Sequence, residues 1–385
     1  WYDEREVEAA AEVIRSGWTG LGPKTEQFEK EFAEKYSKGN YVVGLNSATA
    51  ALDMALKLIG VNHGDEVIVP TITFVSTAHV VKYNLAEPIF CDVDPSTLNM
   101  NVQDAVSRIT SRTRSIIPVH YAGRPVDTLD LWYSIVNECH RKNLNPFKIT
   151  IIEDCAHAAG TYHEGYPLPR QGIGCFSFHA VKNLSMGEGG ALVVRDEKLA
   201  DRAKKLRWLG IDKGTWERTD QNKSYWWEYN VPEIGLKSHM DDIHAAIGLV
   251  QLDKLSVSNG LRMQRAVWYH HLLADLALPD NMDDVPIKMF LPPLDNPGDL
   301  TSWHLFCVKA FNRDKLSVFL KENGIMTGVH YKPIHLYSCY GNKPSLPVAE
   351  GLFPHLLTLP MYPGLSREDV EFICDKIHEF YETMI

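Results

Sequence analysis

The chain has 385 residues, of which 45% are hydrophobic and 23% charged, and a net charge of −10. That length exceeds what one core usually supports, so two domains are expected in an ordinary globular chain. The acidic balance argues against a nucleic-acid groove, although a local basic pocket could still take an anionic small substrate.

The apolar runs, such as residues 115–119, are strand-sized and too short to span a bilayer, and no charged-then-apolar signal segment opens the chain. It begins at Trp1 without a methionine, so a few natural residues are expected to precede it. Seven widely spaced cysteines with no Cys-x-x-Cys pair predict reduced thiols in a cytoplasmic protein. No histidine pair at metal-ligand spacing has a carboxylate partner, so no metal is expected.

Strand-like runs at Tyr41–Leu45, Glu66–Val69, Glu87–Val93, Ser115–His120, Lys148–Glu153, Gly174–Phe178 and Ala191–Arg195 alternate with helix-sized segments such as Thr49–Ile59 and Leu129–Lys142. This alternation predicts an α/β fold, a mostly parallel sheet with helices on both faces. Met240–Asp253 puts Ile243, Ala246, Ile247 and Val250 at helical spacing, and Lys254 ends that stripe. Beyond about residue 255 the texture changes. A helical pattern runs to Leu276, a proline-rich stretch follows over Pro279–Pro297, and strand Trp303–Ala310 alternates with helices Arg313–Asn323 and Arg367–Thr383. The expected division is a large α/β domain, 1–255, and a smaller α+β domain, 256–385.

The most informative stretch is Gly174–Gly190, which sets Lys182 in largely uncharged surroundings ahead of a glycine-rich turn. Desolvation there can depress an amine's pKa and make it nucleophilic toward a carbonyl. Upstream, Ile149–Asp154 is an apolar run ending in carboxylates. A lysine for a Schiff base plus an aspartate for a pyridinium nitrogen is what pyridoxal phosphate requires of a protein. Taken alone, Lys182 reads more readily as a snorkelling surface lysine, and the companion motifs reverse that balance. Asn46-Ser47-Ala48-Thr49-Ala50 opens a helix after a strand, either as a phosphate site or as an ordinary N-cap. Phe74 falls just past a strand's C-terminal end, where ligands collect in open α/β sheets.

Seven ordered motifs carry a family resemblance: Gly44–Ala50, Gly64–Pro70, Pro118–Gly123, Glu153–His157, the lysine segment, Ala245–Leu252 and Gly328–His335. Together they resemble the DegT–StrS family of sugar-nucleotide aminotransferases, which are fold type I pyridoxal-phosphate enzymes. The resemblance implies pyridoxal 5′-phosphate, alternating with its amino form, as cofactor. It also implies a nucleotide-diphosphate sugar and glutamate as substrates, and a homodimer with shared active sites. Lys182 would bond to the cofactor aldehyde and later move a proton, Asp154 would pair with the ring nitrogen, and His157 would sit beside the 3-oxygen. Phe74 would stack on the ring, while Ser47, Ala48, Thr49 and Ser177 would hold the phosphate. Thr19, Tyr121, His179, Glu188, Trp226, His304, His330 and Tyr331 are expected at the substrate.

One motif departs from the commonest pattern. Where relatives often read Gly-x-Asn-x-Arg-Met, this chain reads Gly235-Leu-Lys237-Ser-His239-Met240. Lys237 can still neutralise a partner subunit's phosphate as a point charge. The lysine segment His179-Ala-Val-Lys182-Asn183, followed by Gly187-Glu188-Gly-Gly190, is similar to C4 aminases of the UDP-4-amino-4-deoxy-L-arabinose type, against the Tyr-Pro-Gly-Lys form of C3 aminases. Residues 213–227, rich in aromatic and basic side chains, read either as a nucleotide-diphosphate surface or as a loop anchored by tryptophans. Two other readings remain: a dehydratase branch with histidine in place of the lysine, which Lys182 disfavours, and a cofactor-binding regulatory or scaffold protein with little catalysis.

Overall fold

Apolar strands bury both of their faces in a parallel sheet only if helices cover each side, and the computed structural model has this arrangement. It describes residues 1–213, 228–277, 288–341 and 344–383. Two helices open the chain, α1 (Glu4–Ser16) and α2 (Pro23–Tyr36). Asp3 caps α1 in a reciprocal capping box with Glu6, and Gly17 ends it at φ 76°. There follow β1 (Tyr41–Leu45), α3 (Ala48–Leu58), β2 (Glu66–Pro70), α4 (Ser76–Tyr83), β3 (Glu87–Cys91), α5 (Val102–Ser107), β4 (Thr113–Ile116), α6 (Thr128–Arg141) and β5 (Thr150–Asp154). A short hairpin, β6 (Tyr162–His163) and β7 (Tyr166–Pro167), precedes β8 (Ile173–Ser177), β9 (Gly190–Val194) and α7 (Glu197–Leu206).

The seven long strands form one sheet in the order β1-β9-β8-β5-β4-β2-β3. From β8 to β3 every pairing is parallel, while β9 runs against both of its neighbours. Each strand expected from the sequence is present, with ends displaced by a few residues. One apolar layer lies under α3, α4 and α7, and another packs Phe28 and Phe32 of α2 on Phe176 and Phe178. A third, with Ile68, Ile116 and Ile135, lies beneath α5 and α6.

A single helix, α8 (Asp242–Leu272), then runs across residue 255, the expected domain division. It meets α1 and α2 near its start and α11 (Arg367–Thr383) further along. Lys254, read from sequence as the end of the apolar stripe, is buried and ion-paired to Glu6 and Asp3. The helix therefore continues past it. The remaining part pairs β10 (Met289–Phe290), β11 (Phe306–Ala310) and β12 (Leu356–Leu359) antiparallel, flanked by α9 (Arg313–Glu322), α10 (Pro347–Leu352) and α11. Its own core centres on Tyr269, Phe306, Leu316 and Ile373, whereas Ile334, Leu346 and Leu356 join the layer under α3. Strand β11 begins at Phe306 rather than Trp303, because Trp303 sits at φ 48° and breaks the extended run. No helix among the described residues is long and apolar enough to cross a membrane.

Candidate active site

Strand ends converge on one cavity of about 360 Å³, lined by residues from both parts of the chain. It opens where β2, β5 and β8 end, the edge at which ligands bind in such sheets.

The loop after β1 turns at Ser47, whose hydroxyl accepts the Ala50 N–H (3.1 Å) and caps α3. Ser47, Ala48 and Thr49 all line the cavity, and the first backbone N–H groups of a helix have no partner inside it, so an anion fits there. Gly190 permits this placement. A Cβ on it would lie 2.3 Å from the Ser47 carbonyl carbon. Ser177, at the end of β8, completes this wall.

Asp154 closes β5 and is buried. One oxygen accepts the Thr77 hydroxyl (2.9 Å), the other the Ala156 N–H (3.1 Å), and Thr77 is itself 2.9 Å from the Thr73 hydroxyl. Burial pushes the Asp154 carboxyl up, opposed by these two hydrogen bonds and by Lys182. An unpaired carboxylate in such a place is costly, and a cation brought against it removes that cost.

Lys182 follows Phe178 in the turn before β9. Burial brings its amine down to about 8, with Asp154 acting in the opposite direction. His157 is buried against the same space. Its Nδ1 accepts the Ala122 N–H (3.3 Å), so Nε2 carries the proton and meets the Tyr331 hydroxyl at 3.2 Å. Burial, reinforced by the nearby Lys182 and His330, holds this imidazole far below its usual range, and it is neutral. Phe74 is 57% exposed, yet it lines the cavity beside Tyr331, their ring centres 6.1 Å apart. It is a free aromatic face rather than a core residue.

His179, Glu188, His330 and Tyr331, read from sequence as substrate contacts, also line the cavity. The other expected contacts lie elsewhere. Tyr121 is buried off the cavity wall, and its hydroxyl donates to the His330 carbonyl, so it supports the wall from behind. His304 is buried off the lining too, with Nε2 3.4 Å from Lys182 Nζ. Thr19 is exposed in the loop between α1 and α2 and does not line the cavity. Lys237 is exposed outside it, 5.1 Å from the Trp208 ring centre. Trp226 and residues 214–227 lie outside the described residues. Sequence reasoning passed over Thr77 and gave Asn183 no role. Both are common polar residues whose importance is set by partners distant in the chain.

His120, Glu153 and Cys155 bring ligand-type atoms within 4.8 Å of one another. Glu153 already accepts the N–H groups of Arg170, Gln171 and Gly172 and pairs with His120, whose Nδ1 accepts from Val126. This donor set is committed to holding the turn before β8.

Lys182, a buried carboxylate, an open aromatic face and a helix N-terminus fit pyridoxal phosphate. When bound, that group supplies an electron sink for bonds at an amine-bearing carbon. The protein would supply an amine near neutrality, an anion for the ring nitrogen and donors for the phosphate.

Comparison with known proteins agrees. Residues 2–378 match the DegT/DnrJ/EryC1/StrS aminotransferase family. The aminotransferase TlmJ from Streptoalloteichus hindustanus is 33% identical, with a TM-score of 0.87 over 100% of this chain and 98% of that one. Spr1654 from Streptococcus pneumoniae, provisionally designated a sugar aminotransferase and solved in its PMP form, is 29% identical with a TM-score of 0.90, over 100% and 98%. The sugar aminotransferase CalS13 from Micromonospora echinospora is 25% identical, with a TM-score of 0.86 and 98% of each chain covered. With the lysine, the aspartate and the N-terminus of α3 at one cavity, the chain belongs to the DegT/DnrJ/EryC1/StrS family and is a pyridoxal-phosphate-dependent aminotransferase.

Proposed function

We propose that this enzyme moves an amino group from L-glutamate to the 4-keto carbon of a nucleotide-linked sugar in the cytoplasm. The sugar acceptor is supported by the neighbours CalS13 and Spr1654. Asp154 would hold a proton at the ring nitrogen, Phe74 would stack on the ring, His157 would face its 3-oxygen, and Ser47, Ala48, Thr49 and Ser177 would hold the phosphate. Lys182 Nζ would be the acid and base that moves a proton between the cofactor's C4′ and the sugar carbon.

The observation that carries the C4 position is the pair His179 and Glu188. These two residues, whose types set the lysine segment apart from the C3 pattern, stand on the cavity wall with Nε2 and Oε1 3.7 Å apart. They can hydrogen-bond hydroxyls beside the reacting carbonyl, and so help decide which ring carbon reaches the amine. The test is to incubate the protein with glutamate and matched 3-keto and 4-keto nucleotide sugars, and to locate the new amine by NMR. Preferential amination at C3 would overturn the assignment.

The active unit is a homodimer in which Lys237 neutralises the partner's cofactor phosphate. Two observations support this. No arginine lines the cavity among the described residues, and Leu209, Tyr229, Val231, Ile234 and Leu236 expose apolar surface along the chain around Lys237. A monomer with full activity at assay dilution would refute it.

A further inference from the structure

Behind Lys182, off the cavity wall, a line of side chains runs from α8 to the amine. Asn259 of α8 donates to the Ala159 carbonyl (2.9 Å), and its Oδ1 accepts from Asn183 Nδ2 (2.8 Å). Its approach requires Gly160, which sits at φ +77° and whose Cβ would lie 2.6 Å from Asn259 Nδ2. Asn183 Nδ2 also donates to the Ser302 carbonyl (2.6 Å). Both amide hydrogens of Asn183 are thereby committed, and its Oδ1, 3.0 Å from His304 Nδ1, can only accept. His304 therefore carries its proton on Nδ1. Nε2, with a bare lone pair, is the atom 3.4 Å from Lys182 Nζ.

The imidazole is neutral. It is buried, and the groups facing it are Lys182, His157 (ring centres 4.3 Å apart), Arg262 and His330, each of which disfavours a second proton. Its backbone is pinned as well. Trp303 turns the chain at φ 48°, and the His304 N–H donates to the Ala122 carbonyl (2.9 Å).

The tautomer matters for chemistry at the lysine. An imidazole N–H aimed at the amine would engage its lone pair, the pair that must accept a proton. A bare imidazole nitrogen instead accepts one Nζ–H, restricts the rotation of a long flexible side chain and leaves the amine's lone pair free. We propose that His304 is a positioning residue for Lys182, its tautomer fixed by Asn183, and that it orients the amine whenever the lysine is not bonded to the cofactor. This rests on the transaminase assignment, since only a lysine that cycles between bonded and free forms needs such a tether.

The test uses His304→Leu, which removes the acceptor, and His304→Gln, whose amide can accept from Lys182 while donating to Asn183. Each is converted to the amino form of the cofactor with glutamate, which frees Lys182. Trace acylation across pH, read by mass spectrometry, then gives the titration midpoint of this amine independently of turnover. An acceptor favours the ammonium form, so H304L should lower the midpoint by about one pH unit and cut kcat at least about tenfold with KM little changed. H304Q should restore both. Wild-type values in H304L, or H304Q falling as far as H304L, would overturn the proposal. Should H304L not fold, Asn183→Ser keeps the ring and releases its tautomer. Slower Lys182 acylation above the midpoint is then expected, and an unchanged rate would refute the lock. The acylation readouts do not depend on the choice between C3 and C4. A protein that cannot be converted by any amine donor would instead count against the transaminase reading.

Discussion

Burying the Lys182 ammonium has a cost that can be measured without substrate. The amine falls from an ordinary 10.5 to about 8 inside the protein, chiefly through burial. At about 1.4 kcal/mol per tenfold change in proton affinity, the charged form costs the fold up to about 3 kcal/mol, reduced by any water the cavity admits. The sign follows from the depressed value. Below about pH 8 both folded and unfolded chains carry the proton, and the whole cost is present. Between about 8 and 10.5 the folded protein has lost the proton that the unfolded chain keeps, so stability climbs with pH and the cost disappears. Lys182→Met keeps the bulk without the charge. Freed of cofactor, it should be more stable than the cofactor-free wild type by up to about 3 kcal/mol at pH 7, with the gap closing toward pH 10. Urea unfolding of both proteins at several pH values between 7 and 10 would measure it. A constant offset would report packing alone. A gap that does not narrow over this range would refute the claim that Lys182 is held as a depressed amine.

Lys182→Ala should abolish turnover and the absorption band of the lysine-bonded cofactor, because no other amine among the described residues lines the cavity; wild-type-like turnover would sink the assignment. Asp154→Asn can keep both hydrogen bonds, with Thr77 donating to Thr73 instead, so the protein should fold while turnover drops by about a hundredfold or more. A loss below about tenfold, roughly 1.4 kcal/mol, would mean that another residue serves the ring nitrogen. Gly190→Val would drive side-chain atoms into the Ser47 carbonyl and displace the start of α3. The expected result is cofactor affinity weakened at least about tenfold in an equilibrium titration, and unchanged affinity would show that this helix end does not hold the phosphate.

The sheet was readable from sequence because strands covered on both faces appear as uninterrupted apolar runs. Val67-Ile68-Val69 is a clear instance. Helix α8 was read as two stretches interrupted near Lys254, for a reason that lies far along the chain. Lys254 breaks the apolar stripe, and the carboxylates that neutralise it are on Asp3 and Glu6. Within the site, Lys182 and Asp154 were legible because few other chemistries need both. Tyr121 and His304 were given to the substrate, but a sequence motif does not say on which side of the wall a side chain stands. Tyr121 spends its hydroxyl on a carbonyl and His304 backs the lysine. Thr77 and Asn183 acquire their meaning from partners 77 and 76 residues away, and no local pattern carries that information.

Helix α8 has a mechanical consequence. Its 31 residues make a rod of about 46 Å that is shared by the two parts of the chain, its early turns seated on α1 and α2 and its later ones on α11. A flexible joint at residue 255 would have to sever the rod's own hydrogen-bond ladder, so both parts are bolted to one strut and would tilt with it. Asn259 stands on that strut, one step from Asn183 and two from His304. Any torque on the C-terminal part is thus delivered to the tether of the reacting amine, and cutting the chain at 255 would sever the support of the lysine along with the smaller part.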